Sequence, residues 1–177
     1  MHVLVHTPIG STGGYARDGM GLVKGLLNRG HSVALAPTGV LPPVSREVAA
    51  LLQHPIRGPF DLEIHHVPPS GASSLANKDA RKPLRVLWTM WEWDEYGEDT
   101  PGLEKASTYF PTFDHLVFYT EQSKSAFENA GIVPEGRPVS VLQGGIDSSL
   151  WKERVRKPSP DDAYVFAMVG IMSARKH

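Results

Sequence analysis

The chain has 177 residues, of which 41% are hydrophobic and 21% charged, a balance typical of a globular protein with a sizeable core. Its formal net charge of -1 gives no basic excess that would attract nucleic acid or an acidic membrane, and the absence of cysteine excludes disulfides and zinc–thiolate sites. No apolar run is long enough to span a bilayer and no targeting segment precedes the first apolar run, so we expect a cytoplasmic protein.

Strand and helix patterns alternate in the first half of the chain. Short apolar runs predict strands, and apolar residues three and four apart predict helices. The predicted elements are a strand from His2 to His6, a helix from Tyr15 to Arg29 that Gly30 ends, a strand from Val33 to Ala36, a helix from Val44 to Leu52 and a strand from Asp61 to Val67. The polar, unperiodic stretch from Pro68 to Pro83 predicts a loop.

The second half continues the alternation. Its predicted elements are a strand from Leu84 to Thr89, a helix from Gly102 to Phe110, a strand from His115 to Tyr119, a helix from Glu121 to Ala130 and a strand from Val139 to Leu142. Thr120 is the predicted N-cap of the last helix. Short apolar strands separated by helices predict an α/β fold, a Rossmann-like parallel sheet with helices on both faces.

The composition changes after residue 151. Residues 152–163 carry charges of both signs and two prolines, which predicts a solvated linker. One more apolar strand follows over residues 164–169. We therefore predict a domain over residues 1–151, a linker over 152–163, and in 164–177 the first strand of a further domain. Such an unpaired strand is expected to join a second copy, forming a homodimer, or to be mobile.

A glycine-rich turn follows the first predicted strand and opens the first helix. Backbone N–H groups and a helix start at one point suit phosphate or sugar oxygens, which makes Gly13 and Gly14 candidate binding residues. The alternative is that these glycines only permit a tight turn. The turn lacks G-x-G-x-x-G and a P-loop lysine, and no acid ends the second strand, so a dinucleotide site is disfavoured.

Two adjacent histidines end the third strand. Alternation sends His65 and His66 to opposite faces, so both cannot bind one metal ion. His66, at the carboxyl end where ligands bind in parallel sheets, is a candidate site residue, although a purely structural histidine is an equal alternative. We expect replacement of His66 to lower turnover more than stability, and replacement of His65 to do the reverse.

Tryptophans flank an acidic residue after the fourth strand. A sugar ring could stack on Trp91 and donate hydroxyl hydrogens to Glu92, whereas the alternative places the tryptophans in the core and the acid in solvent. Because side chains alternate, Trp91 and Glu92 are expected on opposite sides.

In order along the chain, these segments resemble the group 1 (family 4) glycosyltransferases of the GT-B fold. Gly13-Gly14-Tyr15 is similar to the family's first loop, and residues 61–68 to its D-h-h-x-h-H-x-P, which aligns His66 with the cleft histidine. Residues 26–33 are similar to the family's L-x-x-x-G-H-x-V, and Trp91-Glu92 is similar to the W-E of one branch. Residues 113–120 are similar to a strand that ends in a hydroxyl residue, and residues 139–147 to V-x-V-h-x-x-G-V-D. Val169-Gly170 and Arg175-Lys176 together resemble the start of the family's second domain.

The resemblance implies the N-terminal, acceptor-side half of a retaining glycosyltransferase, which moves a sugar from a nucleotide-sugar donor to an acceptor without a metal or other cofactor. It implies catalytic roles for His66 and Glu92. The implied donor and substrate contacts are Gly13, Gly14, Tyr15, Trp91, Thr120, Gly145, Arg175 and Lys176.

Two features depart from the family. Ile171 stands where the family has an arginine that helps hold the donor diphosphate, and the donor-binding domain, the expected partner of this half, is absent from the sequence. One alternative is therefore a catalytically inactive, truncated module that binds a sugar or a partner. A different Rossmann-like enzyme, such as a small dehydrogenase, is disfavoured by the missing acid after the second strand.

Overall fold

The computed structural model describes residues 1–10, 13–41, 46–53, 57–72, 83–91 and 106–145. Its strands are β1 (His2–Gly10), β2 (Ser32–Leu41), β3 (Leu62–His66), β4 (Leu84–Thr89), β5 (His115–Phe118) and β6 (Val139–Val141). Its helices are α1 (Gly14–Asn28), α2 (Arg46–Gln53), α3 (Pro69–Ala72), α4 (Ala106–Tyr109) with the 3-10 turn Phe110–Thr112 after it, and α5 (Glu121–Asn129).

The described strands form one six-stranded sheet in the order β2-β1-β3-β4-β5-β6. Every pair of neighbouring strands is parallel. From β1 the chain first moves outward to β2 and then returns past β1 to β3, so the direction of strand addition reverses between β1 and β3. In a doubly wound sheet, the carboxyl ends of the strands at such a reversal border the ligand crevice.

The two faces of the sheet have separate hydrophobic cores, and each core includes buried helical residues. One face, here called the α1 face, has the buried residues Val3, Val5, Ile9, Val23, Leu35, Val48 and Ile64. The opposite face, here called the α5 face, has Val67, Ala72, Leu87, Ala106, Tyr109, Phe110, Phe113, Leu116, Phe118, Phe127 and Ile132. Helices therefore cover both faces, and the predicted α/β, Rossmann-like fold class is confirmed.

Several predicted boundaries need correction. β1 and β2 extend to Gly10 and Leu41 because they pair with each other beyond a register shift between Thr7 and Pro8. The predicted loop after β3 begins with α3. The helix expected from Gly102 to Phe110 is described only from Ala106, and it tightens into the 3-10 turn where Pro111 follows Phe110.

The predicted linker and the strand over 164–169 lie outside the described residues. Among the residues that the structure describes, no helix is long and apolar enough to cross a membrane.

Candidate functional site

The glycine-rich turn leaves the start of α1 open. Gly13 is the N-cap of α1 with a φ of 105°, a conformation that favours glycine, and no side chain of the described residues caps the helix there. Gly13 and Gly14 are both exposed, and a Cβ added to either would meet none of the described residues within 4 Å. A ligand could therefore approach the backbone closely at this point.

Tyr15 joins the glycine turn to the end of β4. Its hydroxyl accepts a hydrogen bond from the backbone N–H of Met90 at 2.9 Å and lies 3.4 Å from the Met90 carbonyl oxygen. Its ring lies against His66, with ring centroids 5.1 Å apart. The first turn of α1 thus contacts the carboxyl end of β3.

His66 lies inside a chain of hydrogen bonds on the α1 face. Its side chain is fully buried, with Nδ1 2.9 Å from the Thr7 hydroxyl and Nε2 2.5 Å from the Tyr119 hydroxyl. Tyr119 donates in turn to Oδ2 of Asp18 at 3.0 Å. Because a carboxylate only accepts, Tyr119 must receive the Nε2 hydrogen of His66. In a neutral ring Nδ1 is then an acceptor, so the single hydroxyl hydrogen of Thr7 goes to Nδ1 at 2.9 Å in preference to the Pro8 carbonyl oxygen at 3.2 Å.

The sheet register explains why these groups meet. His6 pairs with His65 and His66 pairs with Trp88, so Thr7, His66 and Trp88 follow one another across neighbouring strands. The Trp88 ring stacks on Tyr119, with centroids 4.9 Å apart and an angle of 13° between the rings. The Trp88 indole N–H is held by the carbonyl oxygen of Leu142 at 3.1 Å. The site is therefore fixed by β1, β3, β4 and the segment after β5.

Burial keeps this network neutral apart from Asp18. Desolvation lowers the pKa of His66 to about 4, so its imidazole is uncharged at neutral pH. Desolvation also raises the pKa of Tyr119, and the nearby negative charge of Asp18 adds to this shift, so the phenol keeps its proton. The network therefore consists of a neutral imidazole, a neutral phenol and one carboxylate.

Other predicted site residues lie elsewhere. Trp91 donates its backbone N–H to Ser123 Oγ at 2.8 Å, and its ring packs on the α5 face near Phe127. The tryptophan that contacts His66 is Trp88, with ring centroids 4.6 Å apart. The structure thus does not bring the ring of Trp91 to His66.

The remaining predicted residues have simpler positions. Thr120 is the N-cap of α5, as predicted, and its Oγ1 accepts from the backbone N–H of Ser123 at 3.0 Å. Gly145 is exposed and has open space where a Cβ would stand. Glu92, Arg175 and Lys176 lie outside the described residues.

A second polar network occupies the α5 face. Glu63 Oε1 lies 2.8 Å from His6 Nε2 and 3.2 Å from His65 Nε2, and Glu63 Oε2 accepts from Arg85 Nε at 3.2 Å. Burial alone would raise the pKa of Glu63, but hydrogen bonds from His6 and His65 hold it well below its usual range. Burial also lowers the pKa of His65, to about 4. The prediction that His65 and His66 face opposite sides of the sheet is confirmed.

Three of these groups lie close enough to be considered as metal ligands. The ligand atoms of His6, Glu63 and His65 are all within 4.8 Å of one another. However, the two imidazole rings stack with centroids 4.4 Å apart and an angle of 11°. A nitrogen lone pair lies in the plane of its ring, so two parallel stacked rings cannot both point at one ion. Arg85 also already occupies the other oxygen of Glu63, and the group fits an ion network better than a metal site.

Sequence reasoning missed Asp18 and Tyr119. Asp18 follows Gly14 by one turn of α1, and Tyr119 directly precedes Thr120, so both stand next to residues that were predicted. Their hydrogen bond joins positions 101 residues apart, and no local pattern reports such a contact. The one available signal was position, since Tyr119 directly follows β5 and Asp18 lies on the helix that follows the glycine turn after β1.

Comparison of the sequence with protein-family models finds no match, and comparison with curated proteins finds no match either. A function for the chain therefore has to be inferred from its own residues and their geometry.

Proposed function

We propose that this chain is the acceptor-side half of a retaining glycosyltransferase, which transfers a sugar from a nucleotide sugar to an acceptor. The observation that carries the proposal is the contact between His66, at the carboxyl end of β3, and Tyr15, directly after the open glycine turn. These are the two features that the family resemblance aligns with its cleft. Their contact beside the reversal of strand order supports a shared ligand-binding edge.

The chemistry follows from the groups at this edge. The exposed backbone at Gly13 and Gly14, at the start of a helix of 15 residues, is suited to bind the oxygens of a diphosphate or a sugar. In glycosyl transfer the diphosphate leaves with negative charge, and a fixed positive helix end lowers the energy of that state. The family resemblance assigns donor contacts to Arg175 and Lys176, which lie outside the described residues.

A transfer assay tests the proposal. The gene product that contains this chain is incubated with labelled UDP-glucose, GDP-mannose and ADP-glucose and a mixture of acceptors. We expect a glycosylated product whose anomeric configuration, read by NMR, matches that of the donor. The absence of transfer from every donor would contradict the proposal.

His66→Ala provides the site-specific arm of this assay. We expect kcat/KM to fall at least roughly tenfold, which corresponds to about 1.4 kcal/mol of transition-state stabilisation. His31→Ala, which lies after the far end of α1, is the control and should be unchanged. Rates are compared per folded molecule, because His66 is buried. Normal turnover by folded His66→Ala would remove His66 from the site.

A second candidate is a binding module without turnover. It is favoured by the complete burial of His66, whose two ring nitrogens are both engaged within the protein. Both candidates predict that this chain alone, with one wall of a cleft, binds nucleotide sugars weakly. The dissociation constant should be in the millimolar range or weaker, which corresponds to a binding free energy on the order of 4 kcal/mol. Micromolar binding by calorimetry would contradict this expectation of weak binding, and turnover by the gene product separates the two candidates.

A further inference from the structure

His66 has no free atom to offer a ligand in this arrangement. Its side chain has no exposed surface, Nδ1 is held by Thr7 and Nε2 by Tyr119. A ligand could reach either nitrogen only by displacing one of these partners. That exchange leaves a buried polar group unpaired, which is energetically unfavourable.

Asp18 is where the same chain of hydrogen bonds meets solvent. It is half-buried, and Oδ2 accepts from Tyr119. Within the part of the chain that the structure describes, Asp18 has no other hydrogen bond or ion pair, so Oδ1 keeps its accepting capacity. It lies on the second turn of α1, after the exposed Gly13 and Gly14, and the exposed Gly144 approaches it from the segment after β6.

We propose that Asp18 is the ligand-contacting residue of this site, accepting a hydroxyl of a polyhydroxylated ligand through Oδ1, and that Tyr119 and His66 are positioning residues behind it. Hydrogen bonds to an ionised acceptor are roughly twice as strong as those between neutral groups. A carboxylate at a solvent-accessible edge is therefore well suited to bind the hydroxyl groups of a sugar. The Tyr119 hydroxyl fixes one carboxylate oxygen, and His66 fixes Tyr119. The sugar-like ligand rests on the proposed function, whereas the positioning roles do not.

The positioning roles are tested on this chain without any ligand. Nitrogen-15 NMR of the histidine rings at pH 7 distinguishes a protonated Nε2 from a protonated Nδ1. We expect His66 to be a single tautomer with hydrogen on Nε2, and Tyr119→Phe to shift the Nε2 resonance because its acceptor is removed. The Nδ1–H tautomer, a charged ring or an unchanged resonance in Tyr119→Phe overturns this part.

The ligand contact is tested with UDP-glucose as the probe, by following backbone amide shifts of this chain during titration. We expect shifts near Asp18 and the glycine turn, and at least roughly tenfold weaker binding by Asp18→Asn, about 1.4 kcal/mol. The urea midpoint of Asp18→Asn should stay close to that of the wild type, whereas a merely structural role would lower it. Asp61→Asn is the matched control, since Asp61 holds the backbone N–H of His2 at the opposite end of β1.

The two ways of failing are distinguishable. Binding of UDP-glucose with equal affinity by the wild type and Asp18→Asn overturns the contact at Asp18 and leaves the proposed function standing. If UDP-glucose, GDP-mannose and ADP-glucose all leave the spectrum unchanged at tens of millimolar, the ligand contact is overturned, and the transfer assay with the gene product decides the proposed function separately. The tautomer measurement then still decides the roles of Tyr119 and His66.

Discussion

His65 and His66 are neighbours in β3 and both are fully buried, but their surroundings differ in kind. On the α5 face His65 lies among charges, beside Glu63 and Arg85. On the α1 face His66 lies among neutral hydroxyl and aromatic groups, in a chain that ends at the half-buried Asp18. One histidine is therefore part of an ion network, and the other is connected to a surface carboxylate.

This difference shows how one strand serves two purposes. Arg85 binds Glu63 and also donates to the Thr112 carbonyl oxygen at 3.0 Å, which ties β3 and β4 to the segment before β5. These contacts lie within the fold and stabilise it. The His66 network instead leads toward the carboxyl ends of the strands, where a ligand can act on it. Stability measurements should respond to both networks, because both histidines are fully buried, whereas ligand binding should respond to the second network alone.

Arg85→Met should give the largest effect. Arg85 is 1% exposed. Its replacement by methionine removes the positively charged partner of Glu63 Oε2 and leaves the Thr112 carbonyl oxygen without the hydrogen bond from Arg85. Breaking one partner of a buried ion pair costs about 3–5 kcal/mol. Urea unfolding measures the change, and Arg29→Met, at an exposed position, should stay within about 0.5 kcal/mol of the wild type. A loss below about 1 kcal/mol for Arg85→Met would show that the α5-face network is not structural.

Acidification should weaken both networks. An unfolded histidine binds a proton near pH 6.5, whereas folded His65 and His66 resist protonation until about pH 4. Acid therefore favours the unfolded chain, and each histidine costs up to about 3 kcal/mol as the pH falls from 6.5 to 4. The lowered pKa of Glu63 acts in the same direction at still lower pH.

Urea midpoints across this pH range test the prediction. His65→Gln and His66→Gln should each remove about half of the pH-dependent loss, since each deletes one titrating group. A wild-type midpoint that stays constant between pH 6.5 and 4 would contradict the burial of both rings.

The features that could be predicted from the sequence are those that depend on a local pattern of residues. β4 has its predicted bounds, Thr120 caps α5 as expected, and alternation separated His65 from His66. The sequence did not predict which tryptophan meets His66, because the choice between Trp88 and Trp91 depends on the register between strands.

Nor did the sequence report how deeply His66 is buried. With no exposed surface, His66 contributes to packing as His65 does, so the expectation that its replacement spares stability conflicts with the structure. The contact of Tyr119 with Asp18 required the fold, since a helix near the start of the chain meets the end of the fifth strand. Contacts of this kind can be identified only when the order of the strands in the sheet is known.

Gly19→Ala should disturb the α1 face specifically. A Cβ at Gly19 would stand 2.0 Å from Thr7 Oγ1 and 2.9 Å from Thr7 Cβ, so α1 would have to move away from β1. Overpacking of this kind costs about 1–3 kcal/mol. Gly25→Ala, on the same helix with nothing within 4 Å, should instead stabilise the chain by about 0.5–1 kcal/mol. Changes of the same sign in the two variants would contradict the close approach of α1 to Thr7.

Gly144→Ala should give the smallest change in stability. Its Cβ would stand 3.0 Å from Asp18 Oδ2 and 3.3 Å from Tyr119 Cε1, so the segment after β6 or the Asp18 side chain must shift by a few tenths of an ångström. An exposed segment can make that shift for less than about 1 kcal/mol. Gly145→Ala, with open space at its Cβ, is the control.

The informative measurement for Gly144→Ala is spectroscopic. A displaced Asp18 carboxylate weakens the hydrogen bond from Tyr119, and the change passes through the Tyr119 hydroxyl to Nε2 of His66. We expect the Nε2 resonance to move in Gly144→Ala and to stay in Gly145→Ala, while both urea midpoints remain near that of the wild type. The His65 resonances should not move in either variant, because the α5-face network has no contact with Asp18 among the described residues. A shift of His65 together with His66 would mean that the two faces respond as one, and the division between a stabilising and a ligand-linked network would fail.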